Sequence, residues 1–309
     1  EALKGKRNDV FLTSKTKAGA GDTRKDMMEA LEGSLKRLQT DHVDVYFNHA
    51  VNDVARMKNP EWAEFTELAK KQGKIRFRGM SGHGSHLVES LDYAIDNNLV
   101  DVILVAYNFA QDPSFYDKLR HTFHYSAIQP DLPRVLEKAR KKEVGVIAMK
   151  TLMGARLNDM RPYERKGSTF SAAAFRWVLS SPQVDALLVS MSSIEEVNEY
   201  VAASGTAKVT TGDVELLERY ALIQGGRYCQ SACQDCTGSC PKDIAISEVL
   251  RTRMYDVDYG DNLLARTEYA ALGKPAEACL TCATQSCLNA CTKGIPITRY
   301  MLDAAQRLG

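Results

Sequence analysis

The run CQSACQDCTGSC, Cys229 to Cys240, sets four cysteines in twelve residues, and four more follow between Cys279 and Cys291. These two clusters hold all 8 cysteines of a 309-residue chain. Thiolates packed this closely do metal ligation, iron–sulfur chemistry or disulfide pairing. The spacings are Cys229-x3-Cys233-x2-Cys236-x3-Cys240-Pro241 and Cys279-x2-Cys282-x4-Cys287-x3-Cys291. Three neighbouring thiolates can wrap three corners of one cubane, leaving the fourth corner to a cysteine from elsewhere. Zinc is the main rival: Cys233-x2-Cys236 with Cys279-x2-Cys282 makes one four-thiolate site, but the other four sulfurs then need a second zinc with irregular spacing. Secreted disulfide frameworks are short chains with dispersed cysteines, unlike this tail on a long cysteine-free segment. Two [4Fe–4S] clusters are the expectation, with zinc and disulfides as alternatives.

The tail also repeats itself. CPKDIAISEVL from Cys240 aligns with CTKGIPITRYM from Cys291, and each copy ends a cysteine cluster and leads into a helical pattern. Between the copies the sequence reads as helix, turn at Tyr259-Gly260, helix. The tail resembles a two-cluster ferredoxin module, whose pattern C-x2-C-x2-C-x3-C-P sends the fourth cysteine to the other cluster. Both copies keep the final gap and lengthen an earlier one. That resemblance implies crossed ligation, with Cys229, Cys233 and Cys236 joining Cys291, and Cys279, Cys282 and Cys287 joining Cys240.

A second set of chemistry-bearing residues recurs upstream at the ends of apolar runs: Lys15, Asn48 and His49, Ser81 and His83, Tyr107 and Asn108, Lys150, then Ser190 and Ser192. A lysine where a strand leaves a core is partly desolvated, which lowers its own pKa or that of a neighbouring phenol. His83-x-x-His86 and His121-x-x-His124 have metal-compatible spacing, but no third ligand lies near either pair, and they read as polar surface or substrate-loop residues.

The elements that must position these residues alternate. Asp9–Lys15, His42–His49, Ile75–His83, Val100–Asn108, Val144–Lys150 and Val184–Ser192 are β-branched-rich runs of strand length, most reading as buried on both faces. Helical patterns follow. Thr23 with Asp26 forms a capping box ahead of Met27, Leu31, Leu35 and Leu38. Asn59-Pro60 opens a helix with Trp62, Phe65, Leu68 and Ala69 on one face, closed at Gly73. Ser85 caps Leu87, Val88, Leu91 and Ile95; Leu132–Lys142, Ser171–Ser180 and Ser193–Ala203 follow, the last with Ser193 and Glu196 in capping-box positions. Strand–helix units imply parallel strands, and without a Gly-x-Gly-x-x-Gly the α/β class expected is a (β/α)8 barrel lacking two units. Its active site lies at the C-terminal strand ends, where the polar residues recur. Composition shifts near Gly225-Gly226, so the domains are 1–224 and a small helical 225–309.

RNDVFLTSK, LEGSLKRLQTDHVDVYFNHA, GKIRFRGMSGHG, VDVILVAYN and VGVIAMKTLMG, in that order, resemble successive barrel strands of the aldo-keto reductases, from Arg7 to about Ala203. The resemblance implies that Lys15 lowers the pKa of a proton-donating tyrosine and that His49 orients a substrate carbonyl as hydride arrives from a nicotinamide. The aspartate and tyrosine that complete the family's tetrad are expected upstream of Glu1. The cofactor contacts implied are Ser81, Ser190, Ser192 and Glu199. Gly82 stands where the family commonly has asparagine, Leu104 replaces its glutamine, Tyr200 replaces an asparagine, and Glu196 replaces an arginine that pairs with a 2'-phosphate, so NAD(H) is expected over NADP(H).

A net charge of +1 with mixed signs gives no reason to expect nucleic acid, and no apolar run reaches membrane-span length. The reading is an oxidoreductase that couples carbonyl or alcohol chemistry at a barrel mouth to electron transfer through two clusters, acting on a small molecule and exchanging electrons with a redox partner protein. The alternatives are an electron-transfer or scaffold protein whose barrel has lost hydride chemistry, and a zinc-stabilised binding module. Reduced cysteines suit the cytoplasm; export through a twin-arginine signal upstream of this chain is the other option.

Overall fold

The computed structural model describes residues 3–309 apart from 85, 113–128, 153–159, 166–167, 206–207, 225–228, 230–234, 237, 259, 274 and 293. His121, His124, Cys233, Ser85, Tyr259 and the Gly225-Gly226 boundary therefore lie outside the described residues. The chain divides into two compact units. One comprises residues 1–111, 127–151 and 175–208; the other comprises 112–126, 152–174 and 209–309.

The first unit holds six parallel strands in sequential order, β1 (Thr13–Thr16), β2 (Val43–Asn48), β3 (Ile75–Gly82), β4 (Val102–Ala106), β5 (Gly145–Met149) and β6 (Ala186–Leu187). An order without reversal is the arrangement of a barrel wall rather than of a doubly wound sheet, which reverses at its switch point. The crossovers are helical, α1 (Arg24–Leu38), α2 (Val54–Lys58), α3 (Pro60–Lys71), α4 (Leu87–Asp96), α5 (Leu132–Lys141) and α6 (Phe170–Leu179), and α7 (Ile194–Ala203) follows the last strand.

The start signals act as expected at α1, where Thr23 and Asp26 cap each other's backbone, and at α3, where Asn59 accepts from Glu61 N–H ahead of Pro60. Two apolar faces are narrower than expected, because Leu38 and Leu68 are exposed while Met27, Leu31, Leu35, Trp62, Phe65 and Ala69 are buried. The residue capping α4 is His86, whose side chain makes no capping bond to the helix backbone and lies 3.5 Å from the Glu89 carboxylate. At α7 the expected box is split: Ser193 accepts from Glu196 N–H, but the Glu196 carboxylate takes the N–H (2.5 Å) and hydroxyl (2.9 Å) of Ser192.

Strand alternation separates two apolar layers. Tyr46, Met80, Ile103, Val105, Val146 and Ala148 face the helices. Val45, Phe47 and Leu104, with Phe77, Val102, Ile147 and Met149, form the inner face. Gly79 lies under this layer, where an added Cβ would meet the Phe47 ring at 2.4 Å and the Val102 carbonyl at 2.8 Å. β6 is far shorter than Val184–Ser192. It pairs with β5 alone among the described strands, and at an edge its residues gain no second ladder to hold them extended. Both edges expose apolar side chains, Phe11 before β1 and Leu188 after β6.

At the N-terminal end of the sheet one device occurs three times. Asp44 accepts the N–H of Leu12 (2.8 Å), Asp101 that of Arg78 (3.0 Å), and Asp185 that of Val146 (2.8 Å). In return each aspartate's own N–H donates to the carbonyl of that same residue. Each carboxylate also holds a cation: Arg7 and Arg76 on Asp44, Lys70 on Asp101, Arg140 on Asp185. Each stands after a buried valine, Val43, Val100 or Val184, at the entry to an even-numbered strand.

The second unit includes α8 (Thr211–Gln224), α9 (Ile246–Val257), α10 (Asn262–Ala271), α11 (Ser286–Ala290) and α12 (Ile297–Leu308). The internal repeat is a repeat of backbone path. Asp243 and Gly294, each three residues past a cysteine, take positive φ (50° and 64°), and Ile246 and Ile297 open α9 and α12 with N–H bonds to Ile244 and Ile295. Ile246, Val249, Leu250, Tyr269, Ile297 and Met301 form a core against which Cys229, Cys236, Cys240, Cys279, Cys287 and Cys291 pack.

Candidate functional site

The parallel register settles which polar side chains share a face. Lys15 pairs with Phe47 and Ser81 with Leu104, both inner-face residues, and partners in a ladder point to the same side. Lys15 and Ser81 thus belong to the inner face, and alternation carried just past the strand ends brings Lys17, His49 and His83 to the same rim. Lys150 follows β5 directly, with φ of 57° in the left-handed region.

The loops at this rim are tied to one another. His49 N–H donates to the Thr16 carbonyl (2.7 Å). Ala50, at φ 52°, donates to the Ser81 hydroxyl (3.2 Å), and Val51 N–H donates to the Ser81 carbonyl (2.7 Å). Ser81 is buried, so its hydroxyl shapes the turn after His49. Arg56 of α2 donates to the carbonyls of Ala18 (2.7 Å), Ala50 (2.9 Å) and His49 (2.9 Å) and to Asn48 Oδ1 (2.6 Å). All four acceptors are uncharged. Asp53 and Asp22 act on Arg56, but their carboxylates bond to Ala55 N–H (2.9 Å) and Gly19 N–H (2.8 Å).

The result is a rim of positive charge. His49 is held below the ordinary histidine range, first by burial and then by Lys15, Lys17, Arg56 and His83. Burial also lowers His83, with Lys150 adding to it. Both imidazoles are neutral at pH 7, so each retains one N–H donor and one acceptor nitrogen. Desolvation by the surrounding chain lowers the Lys150 ammonium, although its side chain reaches solvent. Among the described residues Lys15, Lys17 and Lys150 form no ion pair, and such cations are free to meet a ligand.

The other expected contacts stand differently. Ser190 and Ser192 are exposed after β6, and Glu199 is half-buried on α7; no described contact joins them to Lys15 and His49. Glu196 is occupied by Ser192. Tyr107 is buried against Trp177, with ring centroids 5.4 Å apart, and Asn108 bonds to the Lys150 carbonyl (3.3 Å). Gly82 cannot carry a side chain without movement, since a Cβ there would lie 2.6 Å from the Val51 carbonyl and 2.7 Å from Leu87. Sequence reasoning missed Lys17 at this rim and Arg56, the structural cation that ties its loops together. Lys17 was signalled by its place two residues after Lys15 on an alternating strand; nothing local marks Arg56.

In the tail, the Cys279 thiol is pushed up to about 11 by burial and by Cys240, Cys287 and Cys282. Burial and then Cys240 raise Cys287 as well. Cys282 is lowered, chiefly by the Gln285 backbone N–H and the Thr284 hydroxyl and N–H bonding to its sulfur. Cys240, Cys279, Cys282 and Cys287 therefore lie within electrostatic reach of one another. Cys229, Cys236 and Cys291 are half-buried, and Cys233 lies outside the described residues. As a donor set these soft thiols fit an iron–sulfur cluster in kind. Among the described residues no three His, Cys, Asp or Glu side chains form a group that could hold a metal ion. No helix among them is long and apolar enough to cross a membrane.

Comparison with known proteins agrees with the sheet. The Aldo/keto reductase family model matches residues 1–168. An L-galactose dehydrogenase of Arabidopsis thaliana is 25% identical over 248 residues, which is 72% of each chain. An aldo/keto reductase from Klebsiella pneumoniae, solved in complex with NADP and acetate, is 27% identical with a TM-score of 0.52, over 71% of this chain and 73% of that one. An aldo-keto reductase from Bacillus halodurans in its holo form shares the fold at 20% identity and a TM-score of 0.52, over 71% and 74% of the two chains.

Proposed function

This chain belongs to the aldo/keto reductase family, and from that premise we propose that it performs carbonyl–alcohol chemistry at the rim of Lys15 and His49, coupled to electron transfer through the cysteine-bearing tail. The observation that carries the first part is His49, neutral and half-buried, next to the end of the strand that bears Lys15. A bound nicotinamide supplies the hydride. Neutral His49 donates its N–H to the substrate oxygen and so stabilises the negative charge that develops there, while the ammonium of Lys15 favours deprotonation of a proton donor held beside it. Hydride to carbon and one proton to oxygen turn the carbonyl into an alcohol.

By the family resemblance Glu196 stands where members that take NADP carry a phosphate-pairing arginine, and a carboxylate there would favour NADH over NADPH. In the tail, Cys279, Cys282 and Cys287 would join Cys240 around one [4Fe–4S] cluster, and Cys229, Cys233 and Cys236 would join Cys291 around the other. Such clusters supply one-electron transfer, to or from a redox partner protein. The action of Cys240, Cys287 and Cys282 on Cys279 supports their nearness, while among the described residues no three such side chains are gathered to hold a metal ion.

One observation favours a second reading, a barrel kept for electron transfer or scaffolding. Gly82 is crowded and Leu104 is buried in the inner layer, so neither offers a carboxamide contact. Titration of the full-length protein with NADH and NADPH separates the two. NADH binding, tighter than NADPH and with the difference reduced in Glu196→Arg, supports the hydride reading; no binding of either supports the second. Iron and acid-labile sulfide in equal amounts after anaerobic purification support the clusters, whereas zinc without sulfide overturns them.

A further inference from the structure

The rim holds more positive charge than orienting a neutral carbonyl requires. Lys15 and Lys17 converge there with the neutral His49 and His83 from three neighbouring strands through the inner-face register, and Lys150, which acts on His83, is added from a fourth. Among the described residues none of the three lysines pairs with a carboxylate, and Asp22 and Asp53, which act on Arg56, are engaged by backbone N–H groups. Lys150 also stands in a left-handed conformation that a lysine adopts at a cost and that glycine would adopt freely, so its side chain has a use that its backbone position does not favour.

Resting on the reading of this rim as a carbonyl site, we infer that its substrate is an anion: a small carbonyl compound bearing a carboxylate or phosphate close to the reacting carbon. His49 takes the carbonyl oxygen. Lys17 and Lys150 receive the anionic group, and neutral His83 donates its N–H to it. Such a site discriminates by charge, because an uncharged analogue leaves both ammonium groups without a counter-ion.

The same charge could instead receive the pyrophosphate of the dinucleotide, and equilibrium binding separates the two sources without needing turnover. Phenylglyoxylate and its uncharged methyl ester are titrated into the full-length protein by calorimetry, with and without saturating NADH. The acid should bind at least about tenfold more tightly than the ester, and raised salt should erase the difference. In Lys17→Gln and Lys150→Gln the acid should weaken about fivefold each while the ester is unchanged. Equal binding of acid and ester would overturn the inference, as would an undiminished preference in the double variant. Displacement of the acid by NADH would also overturn it, by giving the charge to the dinucleotide. Acid binding in a protein that takes no NADH would uphold the anion site and remove only the hydride reading.

Discussion

At its N-terminal end the parallel sheet presents three aspartates, each bonded to a backbone N–H and to at least one arginine or lysine. At its C-terminal end it presents lysines and histidines that no carboxylate touches among the described residues. The same six strands carry both. At the N-terminal end each of the three aspartates has a cation beside its backbone partner, and the paired bonds tie neighbouring strands in register. At the C-terminal end Lys15, Lys17 and Lys150 have no carboxylate partner among the described residues, an arrangement that costs stability and is kept where a ligand completes it.

Breaking the N-terminal end should have the largest effect. Burial alone would raise the Asp44 carboxyl, but the Leu12 N–H, Arg76 and Arg7 outweigh it and hold the group below its ordinary range. Asp44→Asn leaves the partly buried Arg7 without its partner, and urea unfolding should show a loss of about 3 kcal/mol. Asp185→Asn should lose about 1 kcal/mol or less, because both members of its pair are largely exposed. A loss at Asp185 equal to that at Asp44 would mean that the device acts through the backbone bond rather than through burial of the charge. Arg56 is the exception at the C-terminal end, a cation that is structural. Arg56→Met removes four donated bonds and should cost about 2 kcal/mol, well above the cost of removing Lys17 or Lys150.

Much of this contrast was legible in the sequence on one side and hidden on the other. The six strands, the caps at Thr23 and Asn59 and the tail repeat are local patterns, and local patterns survive folding. Lys15 and His49 could be picked because strand ends are the one place in such a fold where polar residues converge. The aspartate device was written as Val43-Asp44, Val100-Asp101 and Val184-Asp185, yet an aspartate entering a strand reads as an ordinary solvated end. Its N–H partners lie 32, 23 and 39 residues away. Ser81 illustrates the converse: its position was marked, but only the path of the loop after β2 determines that its hydroxyl meets Ala50. The length of β6 was also illegible, because an apolar run does not reveal whether a second neighbour will pair with it.

A smaller effect separates the two ends by pH. Histidines lowered in the folded state bind protons more readily when unfolded, so stability rises with pH through this range. It is lost as pH falls from about 6.5, the ordinary value, toward the lower folded values of His49 and His83. Carboxylates lowered in the folded state act further down, with their contribution present above the ordinary 3.8 and lost as pH falls through the folded value. Urea midpoints measured across this range should therefore fall in two stages. His49→Gln with His83→Gln should remove the first stage and leave the second. A first stage that survives in the double variant would place the acid-sensitive groups elsewhere.

The smallest change in stability gives the sharpest test of the contrast. Lys150 stands at positive φ, a conformation that costs a side-chain-bearing residue about 1 kcal/mol. Lys150→Gly removes that strain and adds conformational entropy to the unfolded chain, so the terms offset to within about 0.5 kcal/mol. Lys150→Gln keeps the strain and loses only the charge. Both variants should unfold near the parent's urea midpoint, and both should lose the acid's advantage over its ester to the same degree, because each removes the same ammonium. A loss of more than about 1 kcal/mol in Lys150→Gly would show that the side chain helps to hold the C-terminal end together as Asp44 holds the other, and the division of labour between the two ends would fail at this residue.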